Sequence, residues 1–507
     1  MPILESNPLP TDQPRRLHPA SLVFQVLAVG RQSLFPTLVF GWSAVKGSWI
    51  ALVVGLGIVG LVILYSVLRY LTFRYRIADG ELVVTEGLIF RKIRNVPVDR
   101  IQNVDLVQNL FHRLLEVAEV KVETASGTEP EATLRVLSMA DVEKLRRQIL
   151  VRPSPALAGS EASQQATAVG QLSRETLLEI PNQWLVKAGL ASNRGMILVG
   201  VVLGFIFQQD DADQYFEWTA DTLPSSTWMP GWVTIVAGTV IMLTIVRLLG
   251  IAWYLLRFHG YKLERVGEDF HITCGMITKV SATVPRRRIQ FISVHRTPLL
   301  RWMKLVSIRI ETAGGAGSEN EDAASTVTRR WFVPILPQEQ VRSLLGHLRP
   351  ELDFDETSQS WAPLSPRAGK RLTRLSIILS ALVSGIGFLT YQPWGALAGV
   401  VCLPIFLFWT RKHLRYLGYA RLANGVLLRS GVWTRKTSMT FFDRIQAVNL
   451  SESPFDRRWK MASLSIDTAA SGPASHDIDI GLLEADFAKS EFDELSQQSA
   501  DAGMRWN

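Results

Sequence analysis

From Trp49 to Leu68 the chain carries no charged side chain over 20 residues. A helix of that length crosses a hydrocarbon core of about 30 Å, so a membrane is the first constraint on the fold. Two further long apolar runs follow, Gly231 to Leu256, broken only by Arg247, and Pro393 to Thr410. A shorter run precedes each: Gln32 to Val45, Gly195 to Gln209, and Leu375 to Tyr391. Arg31, Arg194 and Arg374 stand before these shorter runs, where a long cationic side chain can reach the headgroups. The pattern predicts three helical hairpins and six crossings. Buried core helices are the alternative for the short runs; the long runs exceed what a core helix requires.

Charge orients the hairpins. The connection between the third and fourth runs holds Asp210, Asp211, Asp213, Glu217 and Asp221 with no Lys or Arg, and the last hairpin turns through the uncharged Tyr391–Gly395. Arg69, Arg74, Arg76, Arg257, Arg411, Lys412 and Arg415 follow the second run of each pair. The positive-inside rule puts both termini and the large polar segments in the cytoplasm, with only Lys46 pointing the other way. No cleavable signal peptide pattern is present. Cys274 and Cys402 cannot build a disulfide framework, and the eight histidines show no metalloprotease spacing.

The polar segments are copies of one another. The first contains PVDRIQNVDLVQNLFHRLL, the second PRRRIQFISVHRTPLLRWM, the third FFDRIQAVNLSESPFDRRW. Counted from Arg100, Arg288 and Arg444, a glycine lies thirteen residues before (Gly87, Gly275, Gly431) and an arginine thirteen after (Arg113, Arg301, Arg457). Twenty-three residues after come Glu123, Glu311 and Asp467, each followed by Thr-Ala. Fixed offsets in three places make a repeat. Val120 and Val122, Ile308 and Ile310, and Leu464 and Ile466 alternate with polar residues, as in half-buried strands. Asp79-Gly80 and Asn424-Gly425 are hairpin-turn dipeptides, and the aligned glycines suit positions of positive φ. Helical patterns close the copies at Asp141–Ile149, Pro337–Leu345 and Glu484–Leu495. Each unit reads as a small antiparallel β sandwich or barrel with a C-terminal helix.

This organisation resembles the membrane-anchored bacterial pleckstrin-homology-like family, the YdbT-like proteins once catalogued as a domain of unknown function. The resemblance covers nearly the whole chain. It rests on the alternation of hairpins and domains, the Arg-Ile-Gln element, and Leu17-His18-Pro19 before the first membrane segment. It implies an α+β membrane protein in which three transmembrane hairpins alternate with three pleckstrin-homology-like domains on the cytoplasmic face of a bacterial inner membrane. It implies no enzymatic activity and no cofactor. The expected boundaries are a tail over 1–19, hairpins over 20–70, 177–257 (with an acidic external loop at 210–230) and 372–410, domains over 71–151, 258–350 and 411–500, and linkers over 152–176 and 351–371. Copy two departs from the Asp-Arg-Ile-Gln form, with Arg287 where the others have Asp99 and Asp443.

Two readings attach to the repeated charges. Arg100 with Glu123, Arg288 with Glu311, and Arg444 with Asp467 suit ion pairs inside each domain, or a shared contact to an anionic ligand. The +13 arginines suit packed stems or contacts with the membrane. Arg91, Lys92, Arg94, Lys279, Arg286, Arg287, Arg435 and Lys436 are candidate contacts to anionic lipid or a partner, against an ordinary solvated strand face. A nucleic-acid role is disfavoured, because the net charge of +8 comes without a reading helix or an aromatic-basic groove. Gly55-Leu-Gly57-Ile-Val-Gly60 matches a dinucleotide fingerprint but sits inside a membrane run. Arg247 is the one charge well inside a long run. Three functions remain: an assembly module that forms homo-oligomers or joins a smaller related membrane protein, a lipid-recognising module, and a transporter. Relatives of this kind imply a role in envelope homeostasis or resistance to membrane-active compounds.

Overall fold

The computed structural model describes residues 15–24, 26, 49–78, 80–87, 91–124, 132–142, 174–193, 195–196, 199–200, 231–313, 332–350, 359–362, 364–469 and 478–504. Four helical spans among them are long and apolar enough to cross a membrane: Val53–Thr72, Val236–Phe258, Ala368–Thr390 and Trp394–Tyr416. The last two are the arms of one helical run, Ala368–Tyr416, that doubles back on itself. Small residues let the arms touch. A Cβ on Gly387 would meet the Gly395 carbonyl at 2.1 Å, and the Ser384 hydroxyl donates to the Ala396 carbonyl at 2.9 Å. The expected short run Leu375–Tyr391 is therefore a membrane arm. Gln32–Val45, most of Gly195–Gln209 and the acidic loop 210–230 lie outside the described residues.

The β strands follow the threefold repeat. Copy one supplies β1 (Arg74–Ala78), β2 (Glu81–Glu86), β3 (Lys92–Pro97), β4 (Ile101–Gln108), β5 (Val117–Thr124) and β6 (Ala132–Ser138). Copy two supplies β7 (Arg174–Glu179), β8 (Lys262–Val266), β9 (Asp269–Cys274), β10 (Lys279–Pro285), β11 (Ile289–Arg296), β12 (Leu305–Thr312) and β13 (Val333–Pro337). Copy three supplies β14 (Gly418–Leu422), β15 (Gly425–Ser430), β16 (Arg435–Phe441), β17 (Ile445–Ser451), β18 (Met461–Thr468) and β19 (Ile478–Glu484).

Each copy is a pair of antiparallel sheets, as expected, but the sheets are not confined to one copy. Their orders are β1-β2-β3, then β6-β5-β4-β10-β9-β8-β7, then β13-β12-β11-β16-β15-β14, then β17-β18-β19. β4 of copy one thus pairs with β10 of copy two, and β11 of copy two with β16 of copy three. The cores interlock accordingly. Val107 of copy one, and Leu427, Met439 and Phe441 of copy three, pack into the core around Phe270, Ile292 and Ile308, while Phe291 of copy two packs into the core of copy three.

Closing helices occur at Val341–Leu348 and Ala485–Met504. In copy one the chain turns helical at 139–142, and the rest of that expected helix lies outside the described residues.

The segments that precede the hairpins are also built into the sheets. Arg15 exchanges backbone hydrogen bonds with Tyr75 at 2.8 and 3.1 Å, and Leu17 beside it is buried. The Ile180 amide donates to the Tyr261 carbonyl at 3.1 Å, and the Ala362 amide to Tyr419 at 2.7 Å. Residues 174–191, expected as the end of a linker and the start of the second hairpin, form strand β7 on the edge of β8 and a helix, Asn182–Ala191.

Candidate functional site: the seams between copies

The Arg-Ile-Gln element owes its recurrence to one piece of backbone. A 3-10 turn ends on the arginine in every copy (Val98–Arg100, Arg286–Arg288, Phe442–Arg444) and leads directly into β4, β11 or β17. Ile101, Ile289 and Ile445 then oppose Thr124, Thr312 and Thr468. The glutamine is skipped, and the next partners are Asn103 with Glu123, Phe291 with Glu311, and Ala447 with Asp467. That is the same β-bulge three times, which sharpens the local twist where one sheet hands over to the other. The acid-Thr pair marks its opposite side.

The aligned glycines are turn residues as expected, with φ of 104, 110 and 96° at Gly87, Gly275 and Gly431. A side chain at Gly275 or Gly431 would run into the carbonyl of Thr278 or Thr434. Asn424-Gly425 departs slightly from its reading, because Gly425 already belongs to β15 and opposes Leu422. Asp79 lies outside the described residues.

The seams themselves repeat in register. At the first, Lys279, Val280 and Ser281 oppose Gln108, Val107 and Leu106. At the second, Arg435, Lys436 and Thr437 oppose Arg296, His295 and Val294. Counted from the origin arginines, these are the same pairings. Side chains reinforce them: the Thr283 amide donates to Asp105 Oδ1 at 3.2 Å, and the Thr440 hydroxyl to the Gln290 carbonyl at 3.0 Å.

Two of the +13 arginines belong here, with a role beyond the packed stem or membrane contact expected of them. Arg113 and Arg301 sit in the last turn of short helices, Leu110–Leu114 and Pro298–Trp302. From there Arg113 donates to the Met276 carbonyl at 3.1 Å and Arg301 to the Trp433 carbonyl at 3.3 Å. Each clips the turn of the following copy. Arg457 occupies the same place in Pro454–Trp459 and is exposed.

The remaining predicted residues divide. Arg444 pairs with its neighbour Asp443 at 3.2 Å, and Asp443 also takes Arg349 at 3.1 Å. Asp467 is exposed opposite Ala447, and Arg100 is exposed at the end of its turn. Arg286 binds Glu268 at 2.8 Å and the Leu348 carbonyl at 3.0 Å, while Arg287 is exposed. The eight basic candidates form no common face. Arg91, Lys92 and Arg94 are exposed on or beside the outer edge of β3; Lys279 is exposed at the start of a strand paired with β4, and Arg435 and Lys436 are part-buried at the start of a strand paired with β11. Lys436 is half-buried over the Phe291 ring, and burial pushes its ammonium down to about 8, with Arg309 pushing the same way and Glu311 opposing.

Exposed apolar side chains collect around the seams: Phe111, Leu114, Met276 and Ile277 at the first, Trp302 and Trp433 at the second, Phe455 on the third short helix. The Met276 amide donates to the Leu256 carbonyl at 3.0 Å, so this rim lies level with the end of a membrane helix. A cavity of 520 Å³ lies between the second hairpin and copy two, lined among others by Ser192, Asn193, Tyr254, His295 and Arg309. Arg247 donates to the Ser192 carbonyl and the Asn193 side chain at 3.1 and 3.2 Å, which satisfies the charge inside the long run.

A family model described as bacterial PH domain matches residues 22–152, 219–352 and 375–499. The chain belongs to the bacterial PH domain family. Its three matches fall on the three copies, each with its preceding membrane segment. The chain is also similar to the UPF0699 transmembrane protein YdbT of Bacillus subtilis (strain 168), with 24% identity over 476 residues, 90% of this chain and 93% of the relative. No solved structure matches it. It is a multi-pass membrane protein whose bacterial PH domains are fused edge to edge.

Proposed function

We propose that this protein is a non-enzymatic scaffold at the inner leaflet of a bacterial cytoplasmic membrane, holding three bacterial PH domains in a fixed row for assembly. The observation that carries this reading is the repeated seam, with one register and one arginine clip used twice. Covering strand edges with neighbouring copies makes a rigid array and, among the described residues, leaves an open edge at each end, β3 and β17. What is repeated is backbone geometry; no nucleophile with a base recurs with it, which favours assembly over catalysis. Six crossings with both termini cytoplasmic belong to the same reading: paired hairpin flanks support an even number of passes, and the positive-inside bias of the sequence supports the cytoplasmic side. Backbone pairing at Arg15–Tyr75, Ile180–Tyr261 and Ala362–Tyr419 brings the two flanks of each hairpin together, so each passage crosses an even number of times. The role in envelope homeostasis that relatives imply rests on the same reading.

Affinity purification of the full chain in mild detergent tests the scaffold. Co-eluting copies or partner proteins are the expected result, and a monomer without partners overturns it.

A lipid-recognising function is favoured by a different observation, the apolar rim and the Arg309-lined cavity beside the second hairpin. Mass spectrometry of lipids retained by the full chain, compared with Arg309→Gln, tests it. Equal retention of anionic lipid by both sinks it.

A further inference from the structure

The two internal seams define a rule that the ends of the array leave unfinished. Relative to the origin arginine, position −9 of one copy always faces +8 of its predecessor, −8 faces +7, and −7 faces +6. Among the described residues, β3 and β17 are edge strands, the same two strands that are covered elsewhere. Their burial differs as a missing neighbour demands. Every residue of β11 is buried, whereas its equivalent β17 has none fully buried. In β10 the pattern alternates with buried positions, whereas Lys92 to Asn95 of β3 are all exposed, Ile93 to 58%.

We propose that a second copy of this chain docks head to tail, β17 of one chain pairing antiparallel with β3 of the next in the register of the internal seams. This rests on the scaffold reading and names its partner. The register places Arg91 opposite Glu452, Ile93 opposite Leu450, Asn95 opposite Val448, and Val96 opposite Ala447. Arg91 and Glu452 would thus be an opposite-charge pair where the first seam has Lys279 with Gln108 and the second Arg435 with Arg296. Lys92 and Arg94 discourage pairing of this edge with an arbitrary strand, and a carboxylate in register selects the fitting one. Arg457 is exposed at the β17 end, where Arg113 and Arg301 make their clips at the internal seams. Such an interface is heterologous, so it extends as a row or closes as a ring in the membrane plane.

The test is the mass of the full-length protein in mild detergent by light scattering after size exclusion. Wild type is expected as a multiple of the protomer. Arg91→Glu and Glu452→Arg each should raise the dissociation constant at least tenfold, and the double variant should restore it, because the exchanged charges face each other again. In native membranes, Ile93→Cys with Leu450→Cys in a Cys402→Ser background should give a ladder of multimers with a short bismaleimide, and Ile93→Cys alone should not. An oligomer indifferent to both single variants, or a double variant that is not restored, overturns the proposal. A monomer that carries a different protein through β3 or β17 overturns the second copy and leaves the scaffold standing. A bare monomer overturns both.

Discussion

Lys436 shows what a seam asks of a single residue. Its ammonium lies half-buried between Phe291, Glu311 and Arg309, with its titration shifted down to about 8 from the ordinary 10.5. A lysine whose folded value is depressed binds fewer protons when folded, so its cost is fully present below pH 8 and disappears as pH rises toward the ordinary value. Thermal unfolding followed by Trp fluorescence should therefore show Lys436→Met more stable than wild type at pH 7, with the gap closing between about pH 8 and 10.5. A pH-independent gap would contradict the burial argument.

Asp456 has the opposite sign. Burial would raise its carboxyl, but hydrogen bonds from Ser453 (its amide at 3.0 Å) and the ion pair with Arg371 hold it below the ordinary carboxylate range. Its stabilisation is present above that range and is lost as pH falls through the depressed value. Asp456→Ala removes a helix cap and the tie to the third hairpin, at about 1–3 kcal/mol in a denaturant titration at pH 7.

At the scale of elements, the short helices that carry Arg113 and Arg301 act as latches. Arg301→Ala should raise hydrogen exchange of Trp433–Thr437 several-fold while leaving β18 and β19 unchanged, since the lost bond is an exposed one worth about 1 kcal/mol or less. Uniform exchange across copy three would rule the latch out.

Fixed offsets around the origin arginines made the repeat, its turn glycines and its strands legible from sequence. The seams were harder to read, because a covered strand and an open one share the same offsets. A signal was nevertheless present. β10 has no charge after Lys279, whereas β3 carries Lys92 and Arg94, and β11 reads Phe-Ile where β17 reads Ala-Val. The edge strand β3 carries charge into its middle, whereas the seam strands β10 and β16 keep their cations to the first one or two residues. What the offsets of arginine and acid mark in all three copies is a bulge in the backbone, with the acid-Thr pair on its opposite strand. The eight basic residues were grouped by sequence position, which does not tell a strand with an open edge from one paired with a neighbouring copy.

For the whole molecule, sharing of sheets sets what can be cut. A fragment over residues 71–150 would expose β4, and Val107 would lose the core of copy two that buries it. Size exclusion should find that fragment aggregated or loosely folded, not a compact monomer; a sharp cooperative melt with monomeric mass would show that the seam is dispensable. Cysteine-accessibility labelling should report residues 15, 150, 350 and 500 on one side of the membrane. Labelling of any one from the opposite side would break the parity proposed from the paired hairpin flanks.

The shared sheets also order events during synthesis. The outer strand of copy one has its intended neighbour only after the second hairpin has been threaded into the bilayer, since β10 is translated beyond it. Maturation of the first two domains is thereby made conditional on successful insertion of the membrane segment that follows each. A ribosome that stalls midway leaves a sticky ribbon at the membrane, a natural flag for proteolytic quality control.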